Sequence, residues 1–157
     1  MKEKTACFTG HRNIPLFQTE KINKRLYKSI AELIAKGYCY FGAGGALGFD
    51  TLAAQTILSM KKEYPHIKLI LVLPCSTQAN AWSIKDQRIY QTIKSQADKV
   101  VYTAQDYTAG CMHKRNRHLV DHSSACICYL TENRGGTFYT VQYAKSKGLH
   151  IINVAEK

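Results

Sequence analysis

The stretch that decides the fold class is Tyr38-Cys39-Tyr40-Phe41-Gly42-Ala43-Gly44-Gly45-Ala46-Leu47-Gly48-Phe49-Asp50. It begins as a short apolar strand, Tyr38–Gly42, and continues into a turn with glycines at positions 42, 44, 45 and 48. A helical pattern follows from about Asp50 to Tyr64 and stops at Pro65, because proline cannot continue a helix. A strand that passes through a glycine-rich turn into a helix is typical of a parallel α/β sheet.

Outward from this stretch, short β-rich runs alternate with amphipathic helical patterns. The predicted strands are Thr5–Thr9, Tyr38–Gly42, Lys68–Leu73, Lys99–Tyr102 at an edge, Ala125–Leu130 and His150–Val154. The first predicted helix follows Pro15 and ends at Gly37 as its C-cap. The other predicted helices run from about Asp50 to Tyr64, over Gln78–Ala97 in two pieces, from about Met112 to His122, and from the turn ending at Thr137 to about Lys147. The pattern predicts one domain over residues 1–157, an α/β fold with a doubly wound, mainly parallel sheet of about six strands and helices on both faces.

Composition narrows the classes of protein to which the chain can belong. Its 157 residues are 45% hydrophobic and 21% charged, which argues against disorder. The 22 Lys and Arg residues exceed the 11 Asp and Glu residues, giving a net charge of +11 that suits nucleic acid, nucleotide or phosphate partners. No apolar run near the middle is longer than Leu69–Leu73, and Met1–Arg12 lacks the apolar block of a signal peptide. We therefore expect a soluble cytoplasmic protein that does not associate with membranes.

Cysteine and histidine spacing gives weak signals for metal binding. The six cysteines, at positions 7, 39, 75, 111, 126 and 128, include no C-x-x-C pair, and we expect reduced thiols. Cys126 and Cys128 alternate on one side of a strand, where they either fill the core or ligate a metal. His118 and His122 share one helical face, but two ligands do not define a metal site. We therefore predict no metal site and no required cofactor.

Three strand-to-helix turns combine glycine with an arginine, an acid or a hydroxyl. They follow the first, second and penultimate predicted strands, so they converge at the carboxyl end of the sheet. Such turns let backbone N–H groups approach a phosphate, although glycine also serves purely steric needs in tight turns. The ligand-binding residues that these turns predict are Gly10, His11, Arg12, Gly44, Gly45, Gly48, Asp50, Arg134, Gly135, Gly136 and Thr137.

Two further features point to the same end of the sheet. The cationic run Cys111–Arg117 lies at the start of a predicted helix, where cations oppose the helix dipole. It is either a solvated basic face or, with Arg115 and Asn116, a polar network around a ligand. The single tryptophan, Trp82, either stacks on a base at the pocket rim or packs into the core.

Four motifs, taken in order, cover nearly the whole chain and resemble the YpsA-type branch of the SLOG superfamily. They are Cys7-Phe8-Thr9-Gly10-His11-Arg12; Gly45-Ala46-Leu47-Gly48-Phe49-Asp50; Cys111-Met112 with Arg115-Asn116-Arg117 and Val120-Asp121; and Gly135-Gly136-Thr137 with Thr140-Val141 and Tyr143-Ala144. The superfamily also contains DprA proteins and LOG-type phosphoribohydrolases, which are also called lysine-decarboxylase-like. The resemblance implies a Rossmann-like fold, a pocket for a small phosphorylated nucleotide-like ligand carrying ribose and phosphate, and a homo-oligomer.

The LOG-type catalytic motifs are only partly present. Met112 and Arg115 match the Met-x-x-Arg motif, and Gly136 and Thr137 match the Gly-Thr of Gly-Gly-x-Gly-Thr-x-x-Glu, but Thr140 stands where the glutamate belongs. Loss of a positioned acid or base lowers rates about 10²- to 10⁴-fold, and a hydroxyl cannot act as that base near neutral pH.

Other acids leave catalysis open as an alternative. Asp50 or Glu132 could supply the carboxylate, which gives Asp50, Arg115 and Glu132 as candidate catalytic residues. Asp50 is equally well explained as a helix N-cap.

Three functional hypotheses follow. The first is a sensor or regulatory domain that binds a nucleotide-derived ligand. The second is an enzyme that cleaves the N-glycosidic bond of a nucleotide. The third is a DprA-like protein that binds nucleic acid, with an affinity that falls steeply as salt rises.

Overall fold

The computed structural model describes residues 1–155 and contains one six-stranded sheet, in which every neighbouring pair of strands is parallel. The last two residues of the predicted domain, 156 and 157, lie outside the described residues. The strands are β1 (Thr5–Gly10), β2 (Tyr40–Ala43), β3 (Lys68–Leu73), β4 (Lys99–Tyr102), β5 (Ala125–Tyr129) and β6 (His150–Asn153).

The strand order β4-β3-β2-β1-β5-β6 confirms the predicted doubly wound α/β fold and the edge position of β4. The chain steps outward from β1 to β4 in one direction, then returns to place β5 on the other side of β1. The order therefore reverses between β1 and β5, which is where open parallel sheets hold their ligands.

Helices cover both faces of the sheet. They are α1 (Thr19–Ala35), α2 (Phe49–Met60), α3 (Ile84–Gln96), α4 (Cys111–Asp121) and α5 (Gly136–Ser146), and the short 3-10 segments are Lys2–Lys4 and Leu16–Gln18. Every helix within residues 1–155 is too short or too polar to cross a lipid bilayer.

Alternating strand residues divide the core into two layers. In β1, Ala6 and Phe8 pack with the apolar face of α1, while Cys7 points to the layer that holds Leu119 of α4. All five residues of β5 are buried, as expected for a strand covered on both faces.

One predicted helix is shorter than its sequence pattern suggests. The prediction of two helical pieces over Gln78–Ala97 is wrong for the first piece, because residues 76–81 form turns and only Ile84–Gln96 is α-helical. The hydroxyl of Ser83 accepts a hydrogen bond from the Asp86 backbone N–H at 3.1 Å and fixes this helix start.

All six cysteines are free thiols, as the sequence predicts. Cys126 and Cys128 lie in the layer beneath α4 and α5, so core filling is the correct interpretation of their spacing. The rings of His118 and His122 stack with centroids 4.1 Å apart. Within residues 1–155, no three His, Cys, Asp or Glu side chains gather in an arrangement that could hold a metal.

Candidate functional site

The turn after β1 connects the two strands that flank the switch point. The backbone N–H of His11 donates to the Tyr129 carbonyl at 3.4 Å, and the His11 carbonyl accepts from the Phe49 N–H at 3.1 Å. The His11 imidazole Nε2 also accepts from the Thr131 N–H at 3.0 Å. His11 therefore ties the start of α2 to the end of β5.

Two of the predicted ligand-binding glycines have a steric reason to be glycine. Gly48 has a φ of +80°, and a Cβ there would lie 2.1 Å from the Arg12 carbonyl oxygen. A Cβ on Gly10 would lie 2.5 Å from Phe49 side-chain atoms. These glycines let the turn after β1 contact the start of α2, whether or not their N–H groups also bind a ligand.

The buried side chain of Arg115 holds the glycine-rich turn by a hydrogen bond. Its side chain is 5% exposed, Nη1 donates to the Gly44 carbonyl, and Nε donates to Asn116 Oδ1 at 2.7 Å. Nη2 also lies 3.6 Å from the Met112 sulfur. A Cβ on Gly44 would lie 2.6 Å from Arg115 Nη1, so glycine is required for this close approach. Burial lowers the pKa of Arg115, and Asp50 opposes that effect.

Asp50 is the buried acid of the site. It is 6% exposed, and its Oδ2 accepts a 3.3 Å hydrogen bond from the Ala46 N–H, while Oδ1 has no hydrogen-bond partner among residues 1–155. Burial raises the pKa of Asp50 from 3.8 to about 6, although Arg115, the Ala46 N–H and Arg12 favour the charged form. The site thus holds a buried carboxyl group whose Oδ1 accepts no hydrogen bond from residues 1–155.

The N-cap interpretation of Asp50 is wrong. Gly48 occupies the N-cap of α2, and Asp50 is the second residue of the helix, after Phe49. Its side chain reaches back to Ala46 in the preceding turn, so it stabilises the turn rather than the free N–H groups of the helix.

Two residues that the sequence analysis did not assign to the site lie beside Gly45. Gln78 Nε2 donates to the Gly45 carbonyl at 3.4 Å, and a Cβ on Gly45 would lie 3.4 Å from the Tyr90 ring. Two buried polar atoms here, Gln78 Oε1 and the Tyr90 hydroxyl oxygen, have no hydrogen-bond partner among the described residues. The signal for Gln78 is its place after β3, at the same edge of the sheet.

Trp82 packs at the edge of the core, as one of its two predicted roles requires, and its stacking on a base stays a prediction. Its half-buried ring packs at the edge of the core and meets Tyr90 edge-to-face, with centroids 5.2 Å apart. It also borders a cavity of about 260 Å³ beside Gly48, with Leu47 and Asp86 among the other lining residues. The ring is therefore available to a planar group held next to the glycine turn.

The turn after β5 is exposed, unlike the buried pair Asp50 and Arg115. Glu132 and Arg134 are exposed and form a 4.0 Å ion pair with each other. Gly135 and Gly136 begin α5 without a side-chain cap, and Thr137 is half-buried. Within residues 1–155, no hydrogen bond or ion pair joins this turn to Asp50 or Arg115. The structure therefore brings Asp50 and Arg115 to one site but leaves Glu132 in solvent.

The glutamate position of the LOG-type motif is closed to acid–base chemistry. Thr140 is buried and its hydroxyl donates to the Gly136 carbonyl at 2.9 Å. Thr140 and Asn116 line a cleft of about 600 Å³ between α4 and α5, and the part of the chain that the structure describes, residues 1–155, contributes no acidic residue to its lining. The cleft is bordered instead by Tyr139, Tyr143 and the cationic side chain of Arg117.

Comparisons with known proteins give relatives over most of the chain. The family model YpsA, described as the YspA SLOG family, matches residues 6–153. The Bacillus subtilis (strain 168) protein named Uncharacterized SPbeta prophage-derived protein YoqJ is 31% identical over 138 residues, covering 80% of this chain and 81% of its own length. A UPF0398 protein of Brevibacillus brevis is 30% identical over 129 residues, covering 80% of this chain and 69% of its own length.

The fold also recurs in a solved structure. DNA processing protein A from Helicobacter pylori, described by its single-stranded DNA binding mode, aligns with a TM-score of 0.67 at 18% identity. The alignment covers 96% of this chain but only 64% of that one, so this chain spans less than two thirds of its length. At this identity the likeness shows a shared fold.

Proposed function

This chain belongs to the YpsA family of SLOG proteins, and on that premise we propose that it binds a nucleotide or nucleotide-derived ligand at the carboxyl end of its sheet, as a sensor or regulatory domain. The observation that carries the proposal is the buried pair Asp50 and Arg115 beneath the glycine-rich turn. Buried charges destabilise a fold unless they are well partnered, and Asp50 Oδ1 has no partner among residues 1–155. Perturbed ionisable groups of this kind concentrate at functional sites.

The phosphate of the ligand fits the start of α5. The exposed backbone of Gly135 and Gly136 has no side-chain cap, so its N–H groups and the positive end of the helix dipole are free to receive an anion. Arg134, in the same turn, adds a planar guanidinium suited to phosphate oxygens. Thr137 adds a hydroxyl in the first turn of the helix.

The ribose and base fit the turn after β2. A ligand hydroxyl is the natural complement of Asp50 Oδ1, because a carboxylate oxygen accepts and cannot donate. That oxygen is closed off from solvent, so binding has to move the turn between Gly44 and Gly48. Trp82 borders the cavity beside Gly48 and supplies an aromatic face for a base.

Calorimetry of the purified protein with nucleoside mono-, di- and triphosphates and dinucleotides tests the proposal. We expect at least one ligand with a Kd below about 1 mM. Arg134→Gln should weaken that binding about tenfold or more, because it removes a charge-assisted contact from an exposed side chain without disturbing the core. Lys145→Gln, an exposed change near the other end of α5, is the matched control and should leave the Kd unchanged. Kd values above about 1 mM for every compound would count decisively against the proposal.

One observation favours catalysis as a second candidate. The pKa of Asp50 near 6 suits a general acid or base close to neutral pH. Release of free base from nucleoside monophosphates, compared with an Asp50→Asn variant, is the test. No release of free base by the wild type would remove N-glycosidic cleavage from consideration, and equal non-zero rates for the two proteins would remove Asp50 as its acid or base.

The net charge of +11 and the fold shared with DNA processing protein A favour nucleic acid as a third candidate. Binding of this kind should weaken steeply with added salt, because it releases counterions. A gel shift with single-stranded DNA at low salt tests it, and no shift would exclude it.

Cellular location and assembly are proposals as well. We propose a cytoplasmic location, because six free cysteines suit a reducing compartment. The homo-oligomer that the family resemblance implies remains a prediction, which size-exclusion chromatography with light scattering would test.

A further inference from the structure

A separate cavity of about 410 Å³ lies between α4 and the sheet, away from the site described above. Its floor is apolar and consists of Ile70 and Val72 of β3, Val101 of β4 and Leu119 of α4. Ile70 and Val101 are only half-buried, so α4 leaves part of this sheet face uncovered. The volume falls within the range of cavities that hold small organic ligands.

Gly42 shapes the bottom of this cavity. A Cβ at this position would lie 2.9 Å from Leu119 Cδ2, so the missing side chain lets α4 rest directly on β2. Beyond that contact, Ile70 of β3 and Val101 of β4 stay only half-buried. The cavity is therefore a feature of how α4 sits on the sheet rather than a gap between loops.

The mouth of the cavity is cationic. Lys2 and Lys99 border it, both are exposed, and neither has a carboxylate within 4.0 Å among residues 1–155. Among residues 1–155, the one acid in the lining is Asp121, whose Oδ1 already accepts a 2.7 Å hydrogen bond from the Tyr143 hydroxyl. His118 is partly buried there, and burial lowers its pKa, with smaller contributions in the same direction from His122 and Lys99 and an opposing one from Asp121.

We propose that this cavity binds an amphiphilic monocarboxylate, with a straight alkyl chain on the apolar floor and the carboxylate at the Lys99 side of the mouth. The proposal is independent of the nucleotide site, because it uses a different face and different residues. A second copy of the chain is the less favourable occupant, since two such mouths would bring like charges together on a protein of net charge +11.

Straight-chain carboxylates of six, eight, ten and twelve carbons, below their micelle concentrations, test the proposal by calorimetry. Each added pair of methylenes should tighten binding about 15-fold until the floor is covered, at about fourfold for each buried CH₂. The primary alcohol of the same length should bind more weakly, and the alkyltrimethylammonium should not bind. Equal affinity for carboxylate and alcohol, or no binding in the series, would overturn the proposal.

Two variants locate the site. Lys99→Gln removes an exposed charge and should weaken carboxylate binding about tenfold while leaving alcohol binding unchanged. Lys85→Gln, an exposed change on α3, is its matched control and should leave both unchanged. Val101→Trp fills the cavity from the edge strand and should abolish binding of both compounds.

The same variants distinguish the competing occupant. If the protein forms a dimer that Val101→Trp dissociates, the cavity is an interface between two copies and the proposal is wrong. An unchanged carboxylate affinity in Lys99→Gln would also contradict it. Because Lys99→Gln alters only an exposed side chain, its result stands even if Val101→Trp does not fold.

Discussion

Replacing the buried carboxyl of Asp50 with the amide of asparagine should stabilise the protein above pH 6 and have little effect near pH 4. In the unfolded chain this carboxyl ionises with a pKa of 3.8, whereas burial raises the pKa to about 6 in the folded protein. As pH rises from about 4 to 6, the unfolded state therefore ionises first and gains stability relative to the folded state. At 1.36 kcal/mol per pH unit, the wild-type protein loses about 3 kcal/mol of unfolding free energy from this group over that interval.

Asp50→Asn removes this loss, because the amide does not ionise. Its oxygen can still accept from the Ala46 N–H, so the packing of the turn is retained. Arg115 keeps its own hydrogen bonds to Gly44 and Asn116, and none of the bonds described for it uses the Asp50 carboxylate. The variant should therefore exceed the wild type by about 3 kcal/mol at pH 7.5.

Urea denaturation of both proteins at several pH values between 4 and 7.5 measures this difference directly. The two stability curves should meet near pH 4 and diverge by pH 6.5. Asp106→Asn, in an exposed loop, is the matched control, and its difference from wild type should stay below about 1 kcal/mol because solvent screens the charge. A destabilised Asp50→Asn variant at pH 7.5, or a difference independent of pH, would refute the reasoning.

Three further predictions concern the same region and the thiols. Gly48→Ala should lower the unfolding free energy by about 3 kcal/mol, which is a Tm decrease of about 6–12 °C. The reason is that φ is +80° at Gly48 and a Cβ there would meet the Arg12 backbone carbonyl. Gly136→Ala is the control, because the space around Gly136 is open, and it should change the unfolding free energy by less than about 1 kcal/mol in the same thermal melts. Arg115→Met should raise the pKa of Asp50 further, because a nearby positive charge is lost, and a carboxyl-carbon NMR titration that shows a lower pKa would contradict this. Under native conditions a thiol reagent should label Cys39 at most, because the other five cysteines are buried and should react only after denaturation. Rapid labelling of several thiols in the native protein would be the opposing result.

The fold was predictable because local patterns and global architecture agree. The apolar run Ala125–Tyr129, the glycine-rich turn and the proline after α2 each specify the element that the structure contains. The segment from Gln78 to Trp82 was not predictable in this way. Its hydrophobic spacing allows a helix, but the Ser83 cap begins α3 only at Ile84, and capping choices of this kind depend on tertiary context.

The site was predictable at the level of turns and less so at the level of single side chains. Of the cationic run, Lys114 and Arg117 face solvent, as the interpretation of a solvated face predicts, whereas Cys111 and Arg115 are buried four residues apart. Arg115 and Asn116 form a polar network with the glycine-rich turn, and its contact with a ligand stays a prediction. Asp50 shows the limit most clearly. Its position near a helix start suggests capping, and only the packing around it reveals a desolvated carboxyl.

Native mass spectrometry of the purified protein, with nucleotides and dinucleotides present at about 1 mM, shows directly whether the protein binds a nucleotide-derived ligand. Binding at the carboxyl end of the sheet predicts a one-to-one complex with at least one of these compounds, and a reduced fraction of that complex in Arg134→Gln but not in Lys145→Gln. A spectrum that contains only the ligand-free protein with every compound would contradict the account.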